Sequence, residues 1–228
     1  MDGNAAMVRK RVAILISGRG SNMSALIDAA KDPAYPAEIV LVMSNRPDAG
    51  GLQRAAENGI ATAVIDHKLY GKDREAFEQA MQGVLEQNQI EIVCLAGFMR
   101  LLTPWFISRW TSRMLNIHPA LLPAFKGLDT HRRAIEAQAK EHGATVHFVV
   151  PEMDSGPIIA QGAVPILPDD SEDSLARRVL AIEHRIYPLA LKLVTAGRVR
   201  VEGNRCLIDG EINAEDAALL PGLTSSPH

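Results

Sequence analysis

The sequence predicts an α/β fold: a Rossmann-like, open, mostly parallel twisted sheet with helices on both faces, closed by a C-terminal hairpin. Three observations carry this. Short apolar runs alternate with stretches of helical period between residues 12 and 96, and repeated βαβ units build parallel sheets with right-handed crossovers. The runs are almost uninterrupted in apolar character, as in Ile92-Val93-Cys94-Leu95-Ala96, the pattern of strands covered on both faces. A glycine-rich segment, Ser17-Gly18-Arg19-Gly20-Ser21-Asn22, joins the first run to the first helical stretch, where open α/β sheets meet ligands.

In order, Val12–Ser17 reads as a strand, and Asn22–Ala30 as a helix from the spacing of Met23, Leu26 and Ile27. Ile39–Ser44 is the next strand, Gly51–Asn58 a helix stopped by Gly59, Ala61–Ile65 a strand, Asp73–Gln87 a helix and Ile90–Ala96 a strand. Met114–His118 follows as a strand, and a helix starts near Thr130. Two further strands, Thr145–Val150 and Ile158–Ile166, flank the turn-rich Met153-Asp154-Ser155-Gly156-Pro157. A long helix runs from Ser171 to about Ala196, its first turn acidic through Glu172 and Asp173 as the helix dipole favours. Arg198–Ile208 reads as a hairpin about Gly203-Asn204, and Thr224–His228 as a disordered polar tail.

With 228 residues, 47% apolar, the chain suffices for one core without staples, so one domain is expected. Cys94 and Cys206 stand apart, outside any C-x-x-C pair, which signals neither a disulfide framework nor a zinc site and fits a reducing cytoplasm. The seven histidines show no H-E-x-x-H spacing, so no metal is expected. Residues 1–11 lack an apolar signal core and no run is long enough to span a bilayer. The net charge of −3, with basic residues scattered rather than striped, argues against nucleic acid as a partner.

The chemistry concentrates in Asn116-Ile117-His118-Pro119. Residues i and i+2 of a strand share a face, so the Asn116 amide and the His118 imidazole aim at one spot. Asp154, in the turn-rich run, is placed to return a carboxylate to that spot and orient the ring. The glycine loop admits two readings: an anion site formed by free N–H groups at a helix start, or a plain tight turn with Ser21 or Asn22 as N-cap. It is not a dinucleotide fingerprint, because position 23 is Met where a third glycine belongs. Ala96-Gly97-Phe98-Met99-Arg100-Leu101-Leu102 leaves its strand at the carboxyl edge of the sheet, where an apolar loop either packs inward or lines a pocket for a flat aromatic ligand. His147, alternating within a strand, reads as a core or pocket-wall histidine.

Together, Gly18-x-Gly20-Ser21-Asn22, Ala96–Arg100, Leu115–Pro123 (Leu-Asn-Ile-His-Pro-Ala-Leu-Leu-Pro), His142–His147, Asp154-Ser155-Gly156-Pro157 and Glu183-His184 resemble the phosphoribosylglycinamide formyltransferase family over about residues 11 to 190. Asp129 stands where relatives often carry histidine. The resemblance implies formyl transfer from 10-formyltetrahydrofolate, the co-substrate, to the amine of glycinamide ribonucleotide in purine biosynthesis. Asn116, His118 and Asp154 would be catalytic, with the amide and an imidazolium holding the oxyanion; one such donor is typically worth about 2.7–4 kcal/mol. The amine proton would leave through water or His118. Gly20, Ser21 and Asn22 would hold the substrate phosphate, and Glu183 the ribose or glycinamide end. Arg74, Met99, Arg100, Leu101, Leu102 and Asn116, with Val149, Val150, Pro151, Glu152, Met153 and Asp154, would hold the folate. Residues 11–110 would form the phosphate-binding half, 111–197 the catalytic and folate half, and 198–228 the hairpin and tail, in a cytoplasmic monomer or homodimer.

Three alternatives share parts of this pattern. A methionyl-tRNA formyltransferase would add a basic C-terminal barrel, for which about thirty residues after the long helix leave no room. A formyltetrahydrofolate hydrolase would usually carry a regulatory domain ahead of the first strand. A non-catalytic nucleotide-binding module would leave Asn116, His118 and Asp154 without a purpose.

Overall fold

Alternating faces organise the molecule from its first strand. The computed structural model describes residues 8–223, so the tail from Thr224 and residues 1–7 lie outside the described residues. In β1 (Lys10–Ile16), Val12, Ile14 and Ile16 enter one apolar cluster while Ala13 and Leu15 enter another on the opposite face, as period-two geometry requires. The first cluster receives Met23 and Leu26 of α1 (Ser21–Ala30); the second receives Phe77, Met81 and Leu85 of α3 (Arg74–Gln87). Between these helices lie β2 (Ala37–Ser44), α2 (Gly50–Glu57), β3 (Ala61–Val64) and a 3-10 turn at His67–Tyr70. Next come β4 (Ile92–Leu95), α4 (Pro104–Arg109), β5 (Met114–His118) and α5 (Thr130–Glu136), then β6 (Glu141–Phe148) and β7 (Ile158–Pro165).

These strands form one seven-stranded sheet in the order β3-β2-β1-β4-β5-β6-β7. β3, β2, β1, β4 and β5 are parallel, whereas β6 runs antiparallel to β5 and β7 antiparallel to β6. The segment between β6 and β7 is too short for the helical crossover that a parallel return needs, so the chain doubles back as a hairpin. β6 also starts at Glu141, four residues before the start the sequence predicts, Thr145, because His142 and Ala144 continue the buried face.

The long helix, α6 (Glu172–Thr195), opens on a capping box in which Ser171 accepts from Ser174 N–H and Ser174 returns the bond. Its buried stripe, Leu175, Val179, Ile186, Tyr187 and Leu191, covers the first cluster. Tyr187 places its buried hydroxyl 2.9 Å from the Leu95 carbonyl and 3.2 Å from that of Leu115, tying the helix to the ends of β4 and β5. β8 (Val199–Glu202) and β9 (Arg205–Ile208) form the expected hairpin, and a short α7 (Ala214–Ala217) follows. Chain order reverses between β1 and β4, so a crevice opens outside their carboxyl ends. Among the described residues, no helix is long and apolar enough to cross a membrane.

Candidate active site at the carboxyl edge of the sheet

Asn116 and His118 project from the same face of β5, and the loop after β6 brings Asp154 to them. His118 is buried, and its Nε2–H donates to the Phe125 carbonyl at 3.0 Å, which turns Nδ1 toward Asp154 Oδ2 at 3.6 Å. That carboxylate oxygen accepts the Gly127 N–H at 2.9 Å. The loops Pro119–Thr130 and Val149–Pro157 are therefore held together through Asp154, and Lys126 adds a second link by donating to Ser155 Oγ at 2.5 Å. Asp154 itself sits in the left-handed region at φ 51°, a conformation that Asp tolerates better than most residues. Gly156 explains how the loop folds so tightly: a Cβ there would lie 1.8 Å from the Phe148 carbonyl oxygen.

A residue that the sequence left on the core wall completes the cluster. His147 pairs directly with Asn116 across the antiparallel β5–β6 register. Its Nδ1–H donates to the Phe148 carbonyl at 2.9 Å, leaving Nε2 to accept from Asn116 Nδ2 at 3.3 Å. Burial pushes the His147 pKa down, offset in part by the Phe148 carbonyl and Asp154, so the ring stays a neutral acceptor. Its Nε2 also lies 3.9 Å from Asp154 Oδ1. No local signal in the sequence could have found it, since its place opposite Asn116 depends on β6 running antiparallel to β5.

At the other end of the crevice, α1 begins at Ser21 with Gly20 as its N-cap at φ 72°, in the left-handed conformation. Among the described residues no side chain caps the helix, so the N-cap role considered for Ser21 or Asn22 is not realised. Asn22 instead reaches α6, donating from Nδ2 to Glu183 Oε2, while its Oδ1 is buried without a partner among the described residues. Glu183 is buried as well; burial raises its pKa and the Asn22 amide pulls it back.

The Gly97–Leu102 loop is pinned at three points. Met99 N–H donates to the buried Ser17 hydroxyl at 2.8 Å, Arg74 donates to the Leu101 carbonyl, and Thr103 donates from its N–H at 2.7 Å and from its hydroxyl to the buried Glu78 carboxylate. Phe98 packs against the second cluster, but Met99 and Leu101 are 64% and 68% exposed, so the two readings of this loop apply to different residues. In the Val149–Asp154 loop, Val149 packs against the same cluster, whereas Glu152 and Met153 face outward. Asp129 lies on the surface, 2.5 Å from Arg132.

A cavity of about 810 Å³ lies between Leu122–Lys126, the Asp154 loop and the β8–β9 hairpin, and shares only Asp154 with the cluster. The convergence of polar groups at Asn116 and His118 makes the cluster, rather than that volume, the candidate site, because a reacting group is held by polar atoms aimed at it. Among the described residues, no group of three or more His, Cys, Asp and Glu side chains is placed to hold a metal ion.

An open α/β sheet carrying an amide, an imidazole and a carboxylate at its carboxyl edge defines an enzyme of the α/β class. Residues 10–191 match the Formyl transferase family, and the chain belongs to it. It is 44% identical over 200 residues to the phosphoribosylglycinamide formyltransferase of Escherichia coli K12, covering 88% of this chain and 94% of that one. It is 50% identical over 196 residues to the trifunctional purine biosynthetic protein adenosine-3 of Bos taurus, covering 86% of this chain but 19% of that protein; the chain thus spans about a fifth of that longer relative. Among solved structures, glycinamide ribonucleotide transformylase 1 from Symbiobacterium toebii superposes with a TM-score of 0.85 at 44% identity, over 88% of this chain and 94% of that one.

Proposed function

We propose that the chain transfers the formyl group of 10-formyltetrahydrofolate to the amine of 5'-phosphoribosylglycinamide, giving the N-formyl ribonucleotide and tetrahydrofolate in purine biosynthesis. The observation that carries this reading is the convergence of Asn116, His118 and Asp154, in a chain matching an E. coli phosphoribosylglycinamide formyltransferase along nearly its whole length. In the reaction, the substrate amine attacks the formyl carbon, forming a C–N bond and a tetrahedral oxyanion. The bond to folate nitrogen then breaks while the amine loses a proton and the departing folate nitrogen gains one, giving tetrahydrofolate. Asn116 Nδ2, oriented by His147, donates to the oxyanion. Asp154 fixes the His118 ring through Nδ1, so Nε2 is the donor available to the same oxygen, and it exchanges the Phe125 carbonyl for substrate. The amine proton leaves through water or His118.

The free N–H groups of Gly20, Ser21 and Asn22 at the start of α1 suit the ribonucleotide phosphate, and Glu183, held by Asn22, suits the ribose or glycinamide end. Arg74, Met99 to Leu102, Asn116 and Val149 to Asp154 form the folate side. Residues 11–110 and 111–197 act as the two halves of one domain, with the hairpin and tail of 198–228 after them, working as a monomer or homodimer in the cytoplasm without nucleic acid. The test is spectrophotometric: release of tetrahydrofolate with the ribonucleotide present and omitted. Release that depends on the ribonucleotide, one for one with formylated product, is expected; equal release without it would make the protein a formyltetrahydrofolate hydrolase.

A further inference from the structure

Glu78 is a buried carboxylate that the transfer chemistry leaves unused. It lies on α3 at 1% exposure, on a helix whose Phe77 and Met81 enter the second apolar cluster. Among the described residues it forms no ion pair. Arg74, one helical turn earlier on the same face, gives its guanidinium to the Leu101 carbonyl instead. Both Glu78 oxygens go to one residue: Oε1 accepts the Thr103 N–H at 2.7 Å and Oε2 accepts the Thr103 hydroxyl. Thr103 is also the N-cap of α4, yet its hydroxyl makes no capping bond to that helix. A buried charge with no cation opposite it, and a helix start whose capping hydroxyl is diverted, both cost stability. An apolar side chain at position 78 and a hydroxyl free to cap α4 would stabilise the fold better, so the contact points to a geometry that must be fixed.

That geometry is the backbone of Met99–Leu102. At the near end, the Ser17 hydroxyl accepts the Met99 N–H at 2.8 Å and the Ser17 N–H donates to the Gly97 carbonyl at 3.1 Å. At the far end, Glu78 holds Thr103 by two bonds. Met99 and Leu101 are exposed, so these anchors rather than side-chain packing shape the backbone there. We propose that Glu78 is a positioning residue for the formyl donor: through Thr103 it holds the Met99–Leu102 backbone in the folate-receiving conformation before the folate arrives. This rests on the folate reading of that loop. A ligand binds in proportion to the fraction of protein already competent, so a pre-set loop lowers the donor KM without touching the chemical step.

The experiment compares the wild type with Glu78→Met, Glu78→Gln, Thr103→Val and Thr103→Ser. It measures KM for 10-formyltetrahydrofolate, KM for the ribonucleotide, kcat, Tm, and amide hydrogen exchange across the Gly97–Thr103 segment without ligand. In Glu78→Met the donor KM should rise about ten-fold, as for a loop competent one-tenth of the time. Exchange in the segment should quicken, while the ribonucleotide KM and kcat stay at the wild-type level and Tm is unchanged or higher. Glu78→Gln and Thr103→Val should fall between, and Thr103→Ser, which keeps the hydroxyl, should match the wild type. If Glu78→Met does not fold, Glu78→Gln and Thr103→Val decide on the same readouts. Wild-type donor KM and exchange in the folded variants would overturn the proposal by showing that Glu78 anchors nothing. Both KM values rising while kcat and Tm fall would overturn it too, since that is damage to the fold rather than to the loop. Faster exchange with an unchanged donor KM would overturn it by failing the folate reading of the loop, with the anchor itself intact. No transfer in the wild type would overturn it together with the transferase reading, a result distinct from any change in the variants.

Discussion

His142 offers the most quantitative test of how the site loop is held. It is fully buried, packs edge-on against Phe125 with ring centroids 5.8 Å apart, and faces His131 with Nε2 3.2 Å from Nδ1. Burial first, then the neighbouring His131 and His118, pull its pKa from 6.5 down to about 4. A folded-state pKa below the unfolded value means that the unfolded chain binds the proton more readily. The stability is therefore complete above pH 6.5 and is lost as pH falls toward 4. The full loss is about 3 kcal/mol, of which about 2 kcal/mol is gone by pH 5. Urea unfolding of the wild type and of His142→Gln at pH 7.5 and pH 5 isolates this contribution, because the other titrating groups cancel in the double difference. His131 is lowered too, so the variant reports the pair. The wild type should lose about 2 kcal/mol more than the variant on acidification. Equal losses would refute the claim that a neutral, buried His142 supports the Phe125 turn.

Other outcomes follow from the same contacts. His118→Ala and Asp154→Asn should each lower kcat by about a hundred-fold or more, the cost of removing one oxyanion donor or its orienting group, with circular dichroism unchanged; near-wild-type turnover in either would remove it from the mechanism. Gly156→Ala should lower both Tm and kcat, since its Cβ would meet the Phe148 carbonyl at 1.8 Å and push the Asp154 loop off β6; a melting curve and turnover like those of the wild type would contradict that packing. Glu183→Gln should raise KM for the ribonucleotide. Because burial raises the Glu183 pKa, ionising it costs stability as pH rises through that pKa, so the variant should be at least as stable as the wild type at pH 7 and lose that advantage below the ordinary carboxylate range, as urea midpoints would report.

Much of the sheet was legible because β1 to β5 announce themselves by apolar runs and helical periods between them, and Asn116 and His118 because a strand fixes their common face. Strand direction was not legible. Nothing local in Glu141–Phe148 says that β6 runs against β5, and the partnership of His147 with Asn116 depends on that direction alone. α4 escaped notice because six residues show too little periodicity, although Thr103 followed by Pro104 at its first turn was a usable start signal. Glu78, inside the helix expected over Asp73–Gln87, carries no signal in its spacing, yet it is buried and anchors Thr103 at the end of the Gly97–Leu102 loop. Such long-range partners are a property of the assembled sheet, invisible to spacing.

In the proposed reaction the formyl carbon passes directly from folate to the ribonucleotide amine. Following an isotope-labelled formyl carbon through a single turnover with both substrates present tests it most directly. Direct transfer puts the label in the N-formyl ribonucleotide, with free formate at background; label accumulating as formate while the ribonucleotide remains unmodified would rule direct transfer out.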